Sequence, residues 1–271
     1  MSAAAPSRIV APATSPVPAA PRPERGRPIR DVGTTRRASV HSVLWTTRGL
    51  AKVEGEVDVG RGDADGLTAI AGRLVADTFR SRGTLEVFGA TDVRELLTVD
   101  GMTRLGGPAH AGELEARGTL HLDADLAVDR ALFARGLVEA PNVRAALVDL
   151  GGAAEIPGRV TGTAVVRGRF DRDTNLGSVE APRVAFQGPP TSLIPTLWRA
   201  VFGGGAEIRI GRIEAETVEL AAVDAELVRA RSISLGPGAH VTTVEGTVVR
   251  KDPTSRVGPE SRSPRPHGLS R

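Results

Sequence analysis

The chain has 271 residues, of which 40% are hydrophobic, only 3% are aromatic and none is cysteine. The lack of cysteine excludes disulfides and thiolate metal sites, and no apolar run approaches the roughly 20 residues of a transmembrane helix. The net charge of +3 conceals a segregation, because arginine and lysine are concentrated near the two termini and the stretch between them is acidic.

Both terminal stretches are predicted to be disordered basic tails. Residues 1–45 combine seven arginines with many Pro, Ala and Ser, and residues 251–271 have a similar composition. Neither shows a hydrophobic period, so neither can bury enough apolar surface to offset the entropy of ordering. The first residues lack the apolar core of a signal peptide, and we therefore expect a cytoplasmic protein.

The charge distribution also bears on the partners. A nucleic-acid-binding fold carries its basic face on ordered structure, whereas the region between the tails is acidic here, which disfavours nucleic acid as a partner. The basic tails instead make an anionic membrane surface a candidate partner.

A repeat fills the region that follows the amino-terminal tail. Gly83, Gly101, Gly118 and Gly136 each open a short apolar segment and are separated by 17 or 18 residues. Short alternating segments bounded by Gly, Asp and Asn indicate strands and turns. A constant period of this length, with about three short strands in each, predicts a three-sided β-solenoid whose stacked coils share one core of small aliphatic side chains. The pattern begins near Val53 and continues to about Val166.

The region 167–205 is predicted to interrupt the repeat with an insertion at about 186–205. A short amphipathic helix is expected over 192–202, because Leu193, Leu197 and Val201 follow a four-residue spacing and three glycines come directly after it. Strand character returns with 207–210, 217–220 and 232–235. The predicted domain organisation is therefore a tail at 1–45, an all-β solenoid at 46–250 with one insertion, and a tail at 251–271.

The carboxy-terminal stretch 228–245, VRARSISLGPGAHVTTVE, resembles the closing segment of bactofilin-like, polymer-forming cytoskeletal proteins. The repeats at 53–166 look like the degenerate coils of that family, so the resemblance covers about 47–250. It implies a right-handed β-helix that polymerises end to end without nucleotide, with disordered tails that dock on membranes or partners. The residue pattern alone does not fix the handedness, because left-handed hexapeptide helices have coils of similar length.

Catalytic and metal sites are not predicted. His121, Asp123 and Asp125 alternate along one strand face and are better explained as an outward polar face than as metal ligands. The spacings of His110, His121 and His240 do not match the three-histidine zinc site of γ-class carbonic anhydrases. Hexapeptide acyltransferases have a strict six-residue repeat, which is missing here. No cofactor is expected, and we expect no enzymatic activity.

Two functions remain open at this stage. The first is a cytoskeletal scaffold, a homopolymer in which the ends of the solenoid stack on each other. Its candidate self-association residues are Val53, Val57 and Val59 near one end and Val241, Val244 and Val248 near the other. The alternative is a monomeric module that recruits a protein partner through the 186–205 insertion, with a candidate patch formed by Leu193, Ile194, Trp198 and Phe202.

Overall fold

A computed structural model describes residues 25–189 and 206–258. These residues form thirteen β-strands, and each strand pairs in parallel with the strand that follows it in the chain. The strands are β1 Ile29–Arg37, β2 Val40–Val53, β3 Val57–Ile70, β4 Leu74–Val87, β5 Thr91–Leu105, β6 Ala109–Leu122, β7 Leu126–Glu139, β8 Val143–Phe170, β9 Thr174–Gln187, β10 Ile208–Ala221, β11 Asp224–Leu235, β12 His240–Lys251 and β13 Arg256–Val257. A parallel sheet with this sequential order is a β-solenoid, which confirms the predicted fold.

The core consists of small aliphatic side chains stacked in columns. Each complete turn contributes inward residues in three pairs, one pair for each side of the coil; in β6 these are Ala109 and Ala111, Leu114 and Ala116, and Leu120 and Leu122. Because each pair lies on the corresponding pair of the next turn, the buried residues form one continuous cluster from Val40 to Val241. This stacking is how a chain with few aromatic residues obtains an extended core.

One corner of the solenoid is a column of glycines. Each pairs with the next across neighbouring strands and has a positive φ; they are Gly33, Gly49, Gly66, Gly83, Gly101, Gly118, Gly136 and Gly152. A Cβ on Gly118 would lie 2.2 Å from the carbonyl oxygen of Gly101. The four glycines recognised in the sequence belong to this column, which extends beyond them in both directions.

The glycine column ends within β8, a strand of 28 residues that continues from one turn into the next. In the earlier turns the strand break follows the third inward pair. After β8 the break precedes that pair. Leu176 is the third residue of β9 yet stacks on Ile156, which belongs to the third pair of its turn, and Ile210, the third residue of β10, stacks on Leu176. The corner that glycines form in the first half is therefore formed by loops in the second half.

The solenoid is longer than the sequence predicted. It begins at Ile29 rather than at residue 46, β12 extends to Lys251, and β13 lies inside the predicted carboxy-terminal tail. The prediction missed β1 because its arginine-rich sequence resembles that of a disordered basic tail. The strand is held mainly by pairing with β2. The expected interruption from 167 is also corrected, since β8 and β9 continue the inward columns as far as Gln187.

The predicted insertion is therefore shorter than 186–205 at its amino-terminal side. Gly188 still donates its backbone N–H to the carbonyl of Ala221 at 2.8 Å, and the chain re-enters the sheet at Ile208. The helix predicted over 192–202 lies outside the described residues, as does the patch of Leu193, Ile194, Trp198 and Phe202. Within the two described ranges every regular element is a β-strand.

In the part of the chain that the structure describes, no helix has the length and apolarity needed to cross a membrane.

Candidate functional site: the two ends of the solenoid

The carboxy-terminal end of the described solenoid has an open strand edge. Strand β12 pairs along its length with β11, but it pairs with β13 only through His240 with Arg256 and Val241 with Val257. In the described structure the second edge of β12 is therefore unpaired from Thr243 to Lys251. An edge of this kind presents backbone donors and acceptors to another strand.

The core is also open at this end. Val244 stacks on Val228 and is only partly buried, while Val248 stacks on Ile233 and keeps 37% of its surface exposed. Val249 is 60% exposed but lies at a register shift, outside the inward columns. Valines in inward columns are buried wherever a further turn covers them, so their exposure here marks an apolar surface that the next turn would cover.

The amino-terminal end carries a polar cluster around an inward carboxylate. Asp31 of β1 is 5% exposed and accepts hydrogen bonds from Arg37 at 2.6 and 2.8 Å. It also accepts a bond of 3.0 Å from Nε1 of Trp45, which is fully buried beneath it beside Phe79, with 6.4 Å between ring centroids. The hydrogen bonds from Arg37 outweigh burial and hold the pKa of Asp31 below its usual range.

The segment before β1 is fastened by a second set of ion pairs. Arg25 contacts Asp58 at 3.0 Å and also contacts Asp77, so one guanidinium bridges two later turns. Asp58 is 2% exposed, and an unpaired carboxylate at such a position would be strongly unfavourable. Together with Asp31, this pairing explains why the chain is ordered well before residue 46.

The structure places the predicted self-association residues differently at the two ends. Val53, Val57 and Val59 are at most 1% exposed and lie within β2 and β3, beneath the turn that contains β1. Their predicted position at the end of the solenoid is therefore corrected, because the sequence reading omitted β1. At the other end Val241 is fully buried, whereas Val244 and Val248 do lie in the last turn.

Sequence reasoning missed the Asp31–Arg37–Trp45 cluster. Its one visible signal was Trp45, one of only two tryptophans in the chain, which stands at the border of the assigned tail. An inward aspartate in a strand of nine residues carries no local pattern that separates it from a disordered basic segment. The cluster is visible only once β1 and β2 are paired.

The histidine-rich face is an ion-paired surface. His121 contacts Glu139 at 2.6 Å on the next turn and Asp123 at 2.8 Å, while His110 lies 3.1 Å from both Asp92 and Asp129. No group of three His, Asp or Glu in the described residues is arranged to hold a metal ion. Asp125 takes part instead in a hydrogen bond of 2.8 Å from Asn142.

These contacts predict a pH dependence of stability. Hydrogen bonds that its ring donates to Glu139 and Asp123 raise the pKa of His121 above its ordinary 6.5. Burial alone would lower the pKa of His110, but the hydrogen bonds that its ring donates to Asp129 and Asp92 outweigh burial and raise it. The stabilisation is present in full below pH 6.5 and is lost as the pH rises through the raised values. We expect the free energy of unfolding, measured in urea, to fall over that interval and to fall less in His121→Gln. An equal slope in both proteins would contradict the assignment.

Comparison of the chain with protein-family models, curated proteins and solved structures finds no match in any of the three.

Proposed function

We propose that this protein is a non-enzymatic scaffold of the bactofilin-like type that assembles by stacking the ends of its solenoid. The observation that carries the proposal is the last turn of the described solenoid. There no described strand pairs with the second edge of β12 beyond Val241, and Val248 is exposed at the end of an inward column. An unpaired edge beside apolar surface favours association with another strand of the same register. The resemblance of 228–245 to bactofilin-like proteins supports the same conclusion.

The columns favour a contact between unlike ends. Val248 ends an inward column that runs back through Ile233, Val218 and Val184 to Val166. Asp149 contacts Arg167, so Val148 and Val166, the preceding residues, stack in the same column. From Val148 the column continues by strand pairing to Ile29 in the first turn.

Stacking the last turn of one copy on the first turn of another would therefore place Val248 against Ile29, a partly buried residue packed on the core. It would also continue the parallel pairing that every described strand follows. Such a contact is heterologous and does not close on itself, so repetition gives an open filament.

Val248→Lys tests this contact directly. We expect it to weaken assembly by roughly a hundredfold or more, because stacking would bury an unpaired ammonium group. The matched control is Thr247→Lys, the same change on the outward side of the same strand. Sedimentation velocity over a range of protein concentrations and salt, with negative-stain electron microscopy, measures the outcome. Monodisperse wild-type monomers under every condition would overturn the proposal and favour a monomeric partner-binding module.

A mixing experiment then identifies which ends meet. Ile29→Lys disables the amino-terminal end and Val248→Lys the carboxy-terminal end, so each variant alone should remain monomeric. Together they retain one functional end of each kind, while the two disabled ends carry like charges and repel, and we expect a heterodimer that stops at two copies. Dimers of Ile29→Lys alone would instead show that the carboxy-terminal ends pair with each other.

A further inference from the structure

A groove of about 940 Å³ runs along the second half of the solenoid, where loops have replaced the glycine corner. Its lining includes one outward column whose members pair from strand to strand: Arg167, Ala185, Glu219, Ser234 and Arg250. Four steps at about 4.8 Å between neighbouring strands give a length of about 19 Å. Two members of this column, Ala185 and Ser234, have small side chains.

Arginines dominate the charge of the groove. Its lining contains Arg135, Arg167, Arg169, Arg172 and Arg250, against the carboxylates of Asp149, Asp171 and Glu219. Asp149 is 6% exposed and already engaged, whereas the side chains of Arg169 and Arg172 are exposed and make no hydrogen bond or ion pair to any described residue. The groove therefore has an excess of positive charge, whereas the rest of the described residues have a small excess of negative charge.

Asp149 also fixes two of the guanidinium groups in place. Nη1 of Arg135 lies 3.0 Å from one of its oxygens, and Nε and Nη2 of Arg167 donate to the other at 2.8 and 2.5 Å. Burial alone would raise the pKa of Asp149, but the bonds from the two arginines outweigh burial and lower it. Nη1 of Arg135 also donates to the backbone carbonyls of Ala134 and Asp149, at 2.9 and 3.2 Å. Nε and Nη2 of Arg135 and Nη1 of Arg167 are left without a described partner, in side chains that are more than half exposed.

The described lining of the groove contains no carboxylates beyond these three. The residues outside the described ranges, 1–24, 190–205 and 259–271, contain only two carboxylate side chains, Glu24 and Glu260. The sequence of 190–205 contains none. Charge complementarity therefore requires an external anion.

We propose that the groove binds an extended acidic peptide segment of a partner protein. Guanidinium groups match carboxylates through paired hydrogen bonds, and about 19 Å accommodates roughly six extended residues at 3.3 Å each. Single-stranded nucleic acid fits less well, because it needs exposed rings for base stacking and the one aromatic side chain of the lining, Phe186, is 3% exposed. Peptide binding here does not depend on the proposed stacking of solenoid ends.

Fluorescein-labelled hexaglutamate and the full-length protein provide the test, read by fluorescence anisotropy at fixed salt. We expect saturable binding that weakens by roughly tenfold or more in the double variant Arg169→Gln/Arg172→Gln, since hydrogen bonds to charged groups are lost. The control is Arg144→Gln, which removes another exposed and unpartnered arginine from a different side of the same region of the solenoid. Binding by this control should stay within about twofold of wild type.

Three outcomes would overturn the proposal. The first is no binding of hexaglutamate by the wild-type protein. The second is a loss of about threefold or more in Arg144→Gln, half of the double variant's loss in free energy for half of its change in charge, which would indicate only diffuse charge attraction. The third is displacement of hexaglutamate by oligothymidylate or inorganic phosphate at equal or lower charge concentration, which would assign the groove to another anion. Circular dichroism of both variants confirms that any loss comes from the groove and not from unfolding.

Discussion

Replacing Gly118 by alanine is expected to lower the free energy of unfolding by about 3 kcal/mol or more. Gly118 has φ +114°, a conformation that side chains disfavour, and its Cβ would lie 2.2 Å from a backbone oxygen of Gly101. A backbone oxygen cannot rotate away as a side chain can, so β5 and β6 must separate or shift register. Urea denaturation followed by circular dichroism measures the change.

Gly33→Ala is the matched control. Gly33 heads the same column and also has a positive φ, +80°, but nothing lies within 4 Å of the position its Cβ would take. The change should therefore include only the conformational strain, about 1–2 kcal/mol. Equal losses in the two variants would show that the close approach between turns contributes nothing, and would contradict the explanation given for the glycine column.

The same column shows how much of the fold the sequence contains. Glycines 17 or 18 residues apart between short apolar segments were sufficient to predict a solenoid, because only glycine tolerates both a positive φ and a backbone oxygen at this distance. The pattern does not reveal where the stack begins. From the sequence alone, Asp31 and its partner Arg37 look like part of a charged tail. Their role becomes clear only from the pairing of β1 with β2 in the structure.

The groove could not be predicted for a related reason. Arg135, Arg167, Arg172 and Arg250 are separated by irregular intervals, and they come together only because the strand break moves to another corner within β8. The insertion between β9 and β10 further obscures the register of the turns that follow. A period of 17 or 18 residues identifies which residues point inward within a turn. It does not identify which outward residues come together after the strand break has moved to another corner.

The position of a destabilising substitution along the solenoid should determine how many turns lose stability. In a solenoid each turn contacts only its neighbours, so stability is close to a sum of turn and interface contributions. Gly118 lies in β6, with many turns on either side, and its replacement weakens an interface on which both halves depend. A defect in the first turns leaves the remaining interfaces intact and should cause local fraying.

Trp45→Ala is the prediction for such an end defect, with an expected loss of about 3–5 kcal/mol from the amino-terminal turns. Trp45 is fully buried, packs beside Phe79 and donates its indole N–H to Asp31, so its removal leaves both a cavity and a buried carboxylate with one bond fewer. Hydrogen exchange read by mass spectrometry should show faster exchange in β1 and β2 and little change from β6 onward.

Trp45→Phe separates the two causes of that loss. Phenylalanine keeps most of the aromatic packing but cannot donate to Asp31, so we expect a smaller loss of about 1.5–3 kcal/mol, the range for hydrogen bonds to charged groups. Because Arg37 still holds the carboxylate at 2.6 and 2.8 Å, Asp31 remains ionised in this variant. Equal exchange rates in Trp45→Phe and Trp45→Ala would show that the hydrogen bond to Asp31 alone accounts for Trp45's contribution to the stability of the amino-terminal turns. Faster exchange throughout β6 to β12 in either variant would show that the stack unfolds as one unit, contrary to the nearest-neighbour expectation.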